Sequence, residues 1–551
     1  MDKYTKFWLI AIFILAFAVR FVDLGTHFAH YDDITVATDI LKTREPYFEE
    51  QFLKAIYDPK SKSYMNSSKV FLRSIYENHH LLYRTGIFAS QFLIVAAISN
   101  GAPLQFLLTP LLIHKQQSYR SILFWSRLPS CIFSICVVWL IYLILKKRAN
   151  TAGILLGVLS CALSLESIIY AKQSYTYALG CLAVAGLLLL YQHSRTAKFW
   201  PKYWAASGLF TSLCVYAHYQ SMFFLPAFYL ASLWQEYKAR ATLKPLILSS
   251  AVSMLACLPI VIFLFCVSDS GTAGTAAYTL GKQGEFLFNP AGQSFFYPIV
   301  FLLKNSFIVL AHTLAPITAD KPVFGLFGIL LTLVFIRGLK KTAKQPEGLF
   351  IYLSLLIYLS LVFIQKLALT PTRQALVYLP LFIYICAQGL PDIRKKYLTT
   401  LLIVYVGVFL YFLPGLARER RDPLNEQELS ALVQKHNPDL IAGYDFTPHA
   451  ALWREVRKRN YLDQDNLFQN EAVQKYDTLV FIGTRHELNE QYFQKIQDIW
   501  NNRSFNNARW DIAYNRYKIT YQKIITSNIE LEPNNWNSNG TNNLFFYILK
   551  I

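Results

Sequence analysis

The stretch KFWLIAIFILAFAVRFVDLGTHFAHYDD, residues 6–33, passes from an apolar run into a polar segment that ends in two adjacent aspartates. The run 6–23 is long enough to cross most of about 30 Å of hydrocarbon as a helix, although it contains Arg20. An amphipathic pattern follows, so Asp32 and Asp33 are expected at a helix N-terminus, where the dipole favours ionised carboxylates. Such a carboxylate can accept a proton from an incoming hydroxyl; the alternative is a helix cap beside a solvated acid.

The rest of the chain repeats this apolar pattern. Of 551 residues, 54% are apolar and 16% aromatic, and the mean hydropathy is +0.29, which excludes an ordinary soluble protein. Residues 3–18 also resemble a signal peptide, but Arg20 follows at once and we expect a retained first crossing. The apolar runs predict about eleven transmembrane helices, at 6–23, 120–145, 151–170, 174–192, 203–219, 221–236, 245–267, 322–337, 348–365, 374–389 and 398–415.

The net charge of +19 comes largely from short basic clusters between these runs. Short basic loops mark the cytoplasmic face of a membrane protein, so we expect membrane lipid and no nucleic acid as a partner. Placing the N-terminus and every cluster in the cytoplasm makes the eleven crossings alternate and leaves the C-terminal part outside. The clusters are Lys146 to Arg148, Arg195 to Lys202, Lys238 to Lys244, Arg337 to Lys344 and Arg394 to Lys396.

Two long outer loops follow from this assignment, residues 24–119 and 268–321. Each contains an apolar stretch, around 86–113 and 295–316, that is interrupted by Pro, Lys or Asn. A single membrane crossing by either stretch would place the basic clusters that follow it on the wrong side. We therefore predict amphipathic helices on the membrane surface. A helical hairpin at 86–113, which turns at Asn100-Gly101, also satisfies the alternation and is the less favoured alternative.

The composition changes abruptly after Pro414. We predict an all-α polytopic membrane domain over 1–417 and a small extracytoplasmic α/β domain over 418–551, where strand-like runs (Asp439 to Ala442, Leu479 to Ile482) alternate with helical patterns. All eight cysteines fall in or beside apolar runs, so no disulfide framework is expected in the outer parts.

The order of these features resembles the lipid-dependent glycosyltransferases of the GT-C fold, in particular the protein O-mannosyltransferase and aminoarabinose transferase superfamily. Those enzymes carry an Arg in the first crossing and then an acidic pair, commonly Tyr-Asp-Glu. Here Arg20 and Tyr31-Asp32-Asp33 stand in those places. Asp32 matches the family's catalytic carboxylate, and Asp33 replaces its Glu with a shorter side chain of the same charge.

Further stretches follow that family in the same order. Glu77-Asn-His79-His-Leu-Leu-Tyr resembles the motif His-Pro-Pro-Leu-Tyr without its prolines, and Ala102-Pro-Leu is an alternative match. Ser-Arg127-Leu-Pro-Ser matches an Arg-Leu-Pro-Ser opening of the next crossing. Tyr-Ala-Lys172-Gln-Ser-Tyr-Thr-Tyr-Ala-Leu follows Tyr-Ser-Gln-Glu-Ala-Arg-x-Tyr-Ala-Leu, with Gln173 for the acid and Tyr175 for the Arg.

Two late stretches complete the likeness, which covers about 1–415. Tyr-Ala-His218-Tyr fits Tyr-Thr-His-Tyr at an outer helix end. Pro-Thr-Arg373 resembles a Pro-Arg-Tyr motif, with Gln374 in place of Tyr. The tail resembles the extracytoplasmic domains of such enzymes only loosely.

The resemblance implies an inverting glycosyltransferase that moves a sugar from a polyprenyl-phosphate carrier to a hydroxyl or phosphate acceptor (protein, lipid A or glycan) at the outer face, in a bacterial inner membrane with a cytoplasmic N-terminus and a periplasmic C-terminal domain. A departing lipid phosphate also calls for cations on physical grounds, although an Arg near a helix end otherwise only reaches toward the headgroups. The implied roles are catalysis for Asp32 and Asp33; donor-phosphate binding for Arg127, Lys172, Arg373 and Arg84; and the substrate pocket for Arg20, Tyr31, Glu77, His79, Gln173, Tyr175 and His218.

No cofactor is required by this reading, but a divalent metal is compatible with the resemblance. Glu77 and His218 are the candidate ligands. Two ligands from distant segments are a weak metal signature, and a hydrogen-bonding His is the alternative.

Three other classes of protein are alternatives to a glycosyltransferase of this superfamily. A transporter or lipid flippase is the main alternative, although transporters place ionisable residues and broken helices near mid-membrane. Oligosaccharyltransferases share the GT-C architecture, but their Trp-Trp-Asp signature is absent and the nearest run is Arg509-Trp-Asp. A structural or receptor role would leave the acidic pair after the first crossing unexplained.

Overall fold

The structure is a computed structural model. It describes residues 2–25, 103–113, 119–194, 199–267, 297–316, 322–363 and 373–419, together with Gln434 and five strands farther along the chain. Predictions that fall on other residues lie outside this described part, including those for most of the two outer loops.

An α-helix occupies each stretch that the sequence predicts to cross, and two more helices lie in the predicted outer loops. The helices are α1 Lys3–Phe21, α2 Pro103–Leu112, α3 Tyr119–Leu145, α4 Thr151–Leu163, α5 Leu165–Ala171, α6 Tyr177–His193, α7 Phe199–Ala217, α8 Phe224–Lys238, α9 Lys244–Val267, α10 Tyr297–Leu314, α11 Pro322–Thr342, α12 Gly348–Phe363, α13 Arg373–Leu376, α14 Leu379–Gly389 and α15 Lys395–Glu419. A 3₁₀-helix at Tyr219–Phe223 joins α7 to α8.

Four helices of the described part, α1, α3, α9 and α15, are long and apolar enough to cross a membrane. The pair α4 and α5, which is bent by 48° at Ser164, makes a fifth if it is counted as one span. The chain is therefore a multi-pass membrane protein. The number of eleven crossings stays a prediction, because helices such as α14, with 11 residues, are shorter than a full span.

The outer surface of this helical part is apolar. On α1, Phe7 and Ile14 are each 65% exposed, while Leu9, Ile12 and Ala16 on the other face are buried. Exposing the apolar outer face of α1 to water would cost free energy. Such a helix is therefore expected to contact lipid with its outer face and the protein interior with its inner face.

Glycines allow the central helix α14 to pack closely against its neighbours. All eleven residues of α14 are buried. A Cβ atom added at Gly338 of α11 would collide with the carbonyl oxygen of Ile385, and one added at Gly389 would collide with that of Val334. Gly153 of α4 lies against the Ala387 carbonyl in the same way. In a membrane, the hydrophobic effect does not drive helices together because lipid tails are as apolar as the helices. Close packing of their backbones at small residues favours their association instead.

Polar contacts join several of the helix ends that the sequence places in the cytoplasm. Lys395 Nζ lies 2.6 Å from Asp2 Oδ2, and its hydrogen bond holds the pKa of that exposed carboxyl well below the ordinary value. Arg148 Nε donates to Glu347 Oε1 at 3.1 Å. Asn150 Nδ2 donates to the carbonyl oxygen that follows α14 at 3.3 Å. These contacts are in keeping with the predicted alternation of the helices.

Helix α10 differs from the surface helix predicted over 295–316. Its first half is exposed at Val300 and Leu303 (69%) but buried at Phe301, and Ala311 and Ala315, near and just after its C-terminal end, are fully buried in a cluster with Phe324. The C-terminal half therefore packs inside the helical bundle. The sequence could not distinguish a helix on the membrane surface from one that packs in the bundle, because lipid and the protein interior favour the same apolar side chains.

The chain divides into two compact units: Met1–Val22, Thr43–Leu112 and Arg127–Leu413 form the first, and Asp23–Lys42, Ile113–Ser126 and Pro414–Ile551 the second. The second unit thus includes parts of the region predicted as the membrane domain, 1–417.

The second unit contains a five-stranded mixed sheet in the order β2-β1-β3-β5-β4. β1 pairs in parallel with β2 and β3, while β5 is antiparallel to β3 and β4. β1 and β3 fall on the two strand-like runs singled out in the sequence, whereas the helical patterns between the strands lie outside the described residues. The strands are β1 Leu440–Gly443, β2 Asn460–Asp463, β3 Thr478–Thr484, β4 Ile525–Ser527 and β5 Asn542–Lys550.

Candidate active site

Arg20 lies fully buried near the end of α1 and is surrounded by hydrogen-bond acceptors of the protein. Its guanidinium donates to the carbonyl oxygens of Ala162 at 2.7 Å and Cys161 at 3.2 Å. It also donates to the hydroxyl oxygens of Ser134 at 2.8 Å and Ser167 at 3.1 Å. The planar guanidinium thus ties α1 to α3, α4 and α5. Its predicted place in the substrate pocket stays a prediction, since these contacts are all made within the protein.

These contacts explain how the chain tolerates a helix break inside the bundle. The last carbonyls of α4 have no partner within the helix, and the Arg20 cation satisfies two of them while complementing the helix dipole. Ser164 caps the next helix, because its Oγ accepts from the Ser167 backbone N–H at 3.1 Å. The Leu165 N–H donates to the Ala315 carbonyl at 3.1 Å, which anchors the bend to the end of α10.

Lys172 contacts the C-terminal end of α1. Its ammonium donates at 2.8 Å to the carbonyl oxygen of Val22, the residue that caps α1. A cation is favourable at this C-terminal end of a helix. The Lys172 side chain is only 8% exposed whereas Val22 is 58% exposed, so the contact joins the interior of the bundle to its surface. An ammonium has three donors, so this contact and one to a phosphate are compatible.

The loop that begins at Lys172 is irregular and buried. Gln173 is 4% exposed, Ser174 0% and Thr176 2%, and α6 starts only at Tyr177. Non-helical backbone inside a membrane bundle is tolerated where protein surrounds it or where it lines a polar cavity. We therefore take this loop, residues 172–176, as the centre of the candidate site and call it the buried loop.

Aromatic rings line the buried loop on one side. The Tyr177 ring lies 5.1 Å from that of Tyr175 and 5.2 Å from that of Tyr170, measured between centroids. The His218 ring is 5.5 Å from the Tyr177 ring. The structure therefore brings together four residues that the sequence assigned to the site: Lys172, Gln173, Tyr175 and His218.

Helix α3 presents a polar stripe toward the same region. Arg127, Ser130 and Ser134 follow one another at helical spacing and are buried, with Arg127 at 0% exposure. Ser130 Oγ donates to the Tyr175 carbonyl at 3.2 Å, and Ser134 contacts Arg20. Arg127 precedes Ser130 by one helical turn, which puts its backbone on the side of α3 that contacts the buried loop.

The hydrogen bonding of His218 favours a donor role over metal ligation. The Gln220 backbone N–H donates to His218 Nδ1 at 3.2 Å, so the proton of the neutral ring is on Nε2. The ring also lies directly against Gly180, where an added Cβ would be 2.8 Å from it. No group of three metal-ligating side chains occurs among the described residues, and Glu77 lies outside them. Metal binding by Glu77 and His218 therefore stays a prediction.

Helix α13 brings the backbone of Arg373 to the same part of the molecule. This short helix packs against α5 and α6, and the Leu376 carbonyl accepts from Cys181 Sγ at 3.1 Å. The side chain of Arg373 is outside the described part. The other predicted site residues that lie entirely outside it are Tyr31, Asp32, Asp33, Glu77, His79 and Arg84.

Sequence reasoning missed several polar residues around the buried loop. Gln105 of α2 donates through Nε2 to Ser130 Oγ at 2.6 Å, and Ser167 and Ser134 share the environment of Arg20. One signal was visible: serines recur every fourth residue in Ser126-Arg-Leu-Pro-Ser130-Cys-Ile-Phe-Ser134. That spacing puts hydroxyl groups on one face of an otherwise apolar helix.

Comparisons with known proteins add little to this geometry. No protein family model matches the chain, and no curated protein matches it. Among solved structures, the chain is similar to the crystal structure of ArnT from Cupriavidus metallidurans in the apo state. The identity is 11%, the TM-score is 0.36, and the match covers 87% of this chain and 93% of that one. A TM-score this low does not establish a shared fold.

Proposed function

We propose that the chain is an inverting glycosyltransferase of the GT-C type. It would move a sugar from a polyprenyl-phosphate carrier to a hydroxyl or phosphate acceptor at the outer face of the membrane. The observation that carries this proposal is the burial of two cations, Lys172 and Arg127, around an irregular loop beside the end of α1. Cations are costly inside a membrane bundle and mark functional sites there.

A lipid-linked phosphate suits such a site better than a soluble anion does. When the sugar leaves its carrier, negative charge builds up on a phosphate that stays attached to the membrane. Preorganised cations at that depth stabilise this charge and need not be rearranged during the reaction. The Val22 carbonyl holds the Lys172 ammonium in place, and the Arg127 side chain is fully buried.

The proposed step is a single in-line displacement at the anomeric carbon. The bond from that carbon to the phosphate oxygen breaks, and its electron pair remains on the lipid phosphate. A bond to the acceptor oxygen forms from the opposite side, which inverts the anomeric configuration. Where the acceptor is a hydroxyl, its proton passes to Asp32, the residue that the family resemblance assigns as base. Lys172, Arg127, Arg373 and Arg84 would bind the phosphate, and Asp33 would assist Asp32.

Mass spectrometry of lipids and periplasmic glycoconjugates tests this proposal. Cells that produce the wild type, Asp32→Asn or Asp2→Asn would be compared with cells that lack the chain. We expect one added sugar in cells with the wild type and with Asp2→Asn, whose carboxyl contacts Lys395 and lies away from the buried loop. Asp32→Asn should reach the membrane in normal amount and lose the added sugar. Identical glycoconjugates in wild-type and chain-free cells would overturn the proposal.

One observation favours the transporter or flippase alternative. The break between α4 and α5 resembles the discontinuous helices from which transporters build ion sites. In this protein, however, Arg20 donates to the carbonyls of Cys161 and Ala162 that such a site would use. Proteoliposomes that move a labelled polyprenyl-phosphate sugar without transferring the sugar would support transport.

A further inference from the structure

Helix α2 turns its polar face toward the protein and its apolar face outward. Gln105 and Thr109, one helical turn apart, are both 0% exposed, whereas Leu111 is 50% exposed. The Thr109 hydroxyl donates to the carbonyl oxygen of Gln105 at 3.2 Å and so has a partner within the helix. The side-chain amide of Gln105 instead reaches out of its helix to α3.

A chain of hydrogen bonds fixes which way this amide is oriented. The Tyr175 carbonyl can only accept, so the bond of 3.2 Å from Ser130 uses the Ser130 hydroxyl proton. Ser130 Oγ must then accept from Gln105, at 2.6 Å, and only the NH₂ group of the amide can donate. The carbonyl oxygen Oε1 of Gln105 therefore points away from Ser130.

That oxygen is buried and has no hydrogen-bond partner among the described residues. The same holds for Oε1 of Gln173 in the buried loop, two residues before the Tyr175 carbonyl that anchors the chain of hydrogen bonds. A buried acceptor without a donor is unfavourable, and a site that binds a ligand is one place where such groups are retained. What sets these two acceptors apart from others in the described part is that both lie at the buried loop, linked through Ser130 and Tyr175.

We propose that Gln105 is a substrate-binding residue whose Oε1 accepts a hydrogen bond from a hydroxyl of the transferred sugar. This inference rests on the proposed glycosyl transfer. The side chains at the site suit two different parts of a sugar phosphate. Lys172 and Arg127 carry hydrogen-bond donors, which suit the anionic phosphate. The amide oxygens of Gln105 and Gln173 are acceptors, which suit a group with a polar hydrogen. An ionised phosphate has no proton for an acceptor oxygen, and a polyprenyl tail has no polar hydrogen, so a sugar hydroxyl is the matching group.

Two substitutions at Gln105 distinguish binding from a purely structural role. Gln105→Met keeps the length of the side chain and removes both the acceptor Oε1 and the Nε2 donor to Ser130. Gln105→Glu keeps an acceptor oxygen but buries an acidic group, which is less favourable for folding than a thioether. A structural role therefore predicts that Met is tolerated at least as well as Glu in both stability and activity. Sugar binding predicts the opposite order for activity alone.

The test measures the initial rate of sugar transfer, by mass spectrometry, in membrane vesicles from cells that produce each variant. Rates are normalised to folded protein, and thermal midpoints are recorded in parallel. We expect Gln105→Met to transfer roughly five- to tenfold more slowly than the wild type, as for the loss of one buried hydrogen bond. Gln105→Glu should transfer faster than Gln105→Met although its thermal midpoint is lower.

Gln192 provides a matched control. It is a buried glutamine of α6 whose Nε2 donates to the Ile144 carbonyl at 3.4 Å and whose Oε1 has no partner in the described part. It lies at the opposite end of α6 from the buried loop, so Gln192→Met should leave the rate unchanged.

The possible results separate this inference from the proposed function. If the wild type transfers sugar and Gln105→Met is as fast as Gln105→Glu or faster, Gln105 does not bind the sugar. An equal loss in Gln192→Met would also contradict the inference. If the wild type transfers no sugar, the proposed function fails and this inference fails with it.

Discussion

Arg20 illustrates how a cation is accommodated within the apolar bundle. The sequence motif predicts a place in the substrate pocket for this residue, and in the structure its guanidinium donates to two carbonyls at the end of α4 and to two serine hydroxyls. Its position in the motif is thereby explained without any ligand. A cation that holds the helix break in place can be as necessary for activity as one that contacts substrate, so loss of activity alone would not distinguish the two roles.

Stability does distinguish them. We predict that Arg20→Met lowers the free energy of unfolding by about 2–5 kcal/mol, because several buried acceptors lose their donor. Arg20→Lys should recover part of the loss, since an ammonium can reach fewer of these acceptors in the right directions. Denaturation of the purified protein in mixed detergent micelles would measure the difference. Arg120→Met, at an exposed cation in the first turn of α3, serves as control. Unchanged stability in Arg20→Met would refute the structural role.

At the scale of elements, the close contact between α11 and α14 depends on backbone approach. Gly338 and Gly389 lie where each helix faces a carbonyl of the other, Ile385 and Val334 respectively. α14 is in turn the helix whose preceding segment, α13, brings Arg373 beside the buried loop. Loosening this contact should therefore affect both the stability and the site.

We predict that Gly338→Ala destabilises the protein by about 1–3 kcal/mol, because the new methyl group would meet the Ile385 carbonyl and force the helices apart. Gly407→Ala in α15 is the matched control. Nothing lies within 4 Å of a Cβ added there, so the higher helix propensity of Ala should leave stability unchanged or slightly higher. Thermal unfolding of both variants in the same detergent gives the comparison, and equal midpoints would contradict the packing argument.

The helices could be predicted from the sequence because long apolar runs in a membrane have few alternatives to helical structure. The break at Ser164 could not, since the groups that stabilise it, Arg20 and the Ala315 carbonyl, are distant in sequence. The same limit applies to Gln105, whose partner Ser130 belongs to another helix. Of the candidate site, the grouping of Lys172, Gln173, Tyr175 and His218 followed from the motif order, whereas the acidic pair lies outside the described residues.

The proposed chemistry requires that the ends of the helices are sorted between the two faces of the membrane. The contacts Asp2–Lys395 and Arg148–Glu347 join helix ends that carry basic clusters. The contact between Lys172 and Val22 joins the opposite ends of helices. This separation is what allows one face to collect positive charge in loops while the other holds buried cations for a lipid phosphate. Membrane sidedness is therefore the property on which the proposed chemistry most depends.

Labelling of single introduced cysteines in spheroplasts with a membrane-impermeant maleimide tests that sidedness most directly. Tyr31→Cys and Thr372→Cys should react before permeabilisation, and Lys147→Cys only after it. The unsubstituted protein gives the background, which should be low because most of the described native cysteines are buried. Reaction of position 31 and position 372 from opposite sides of the membrane would contradict the account.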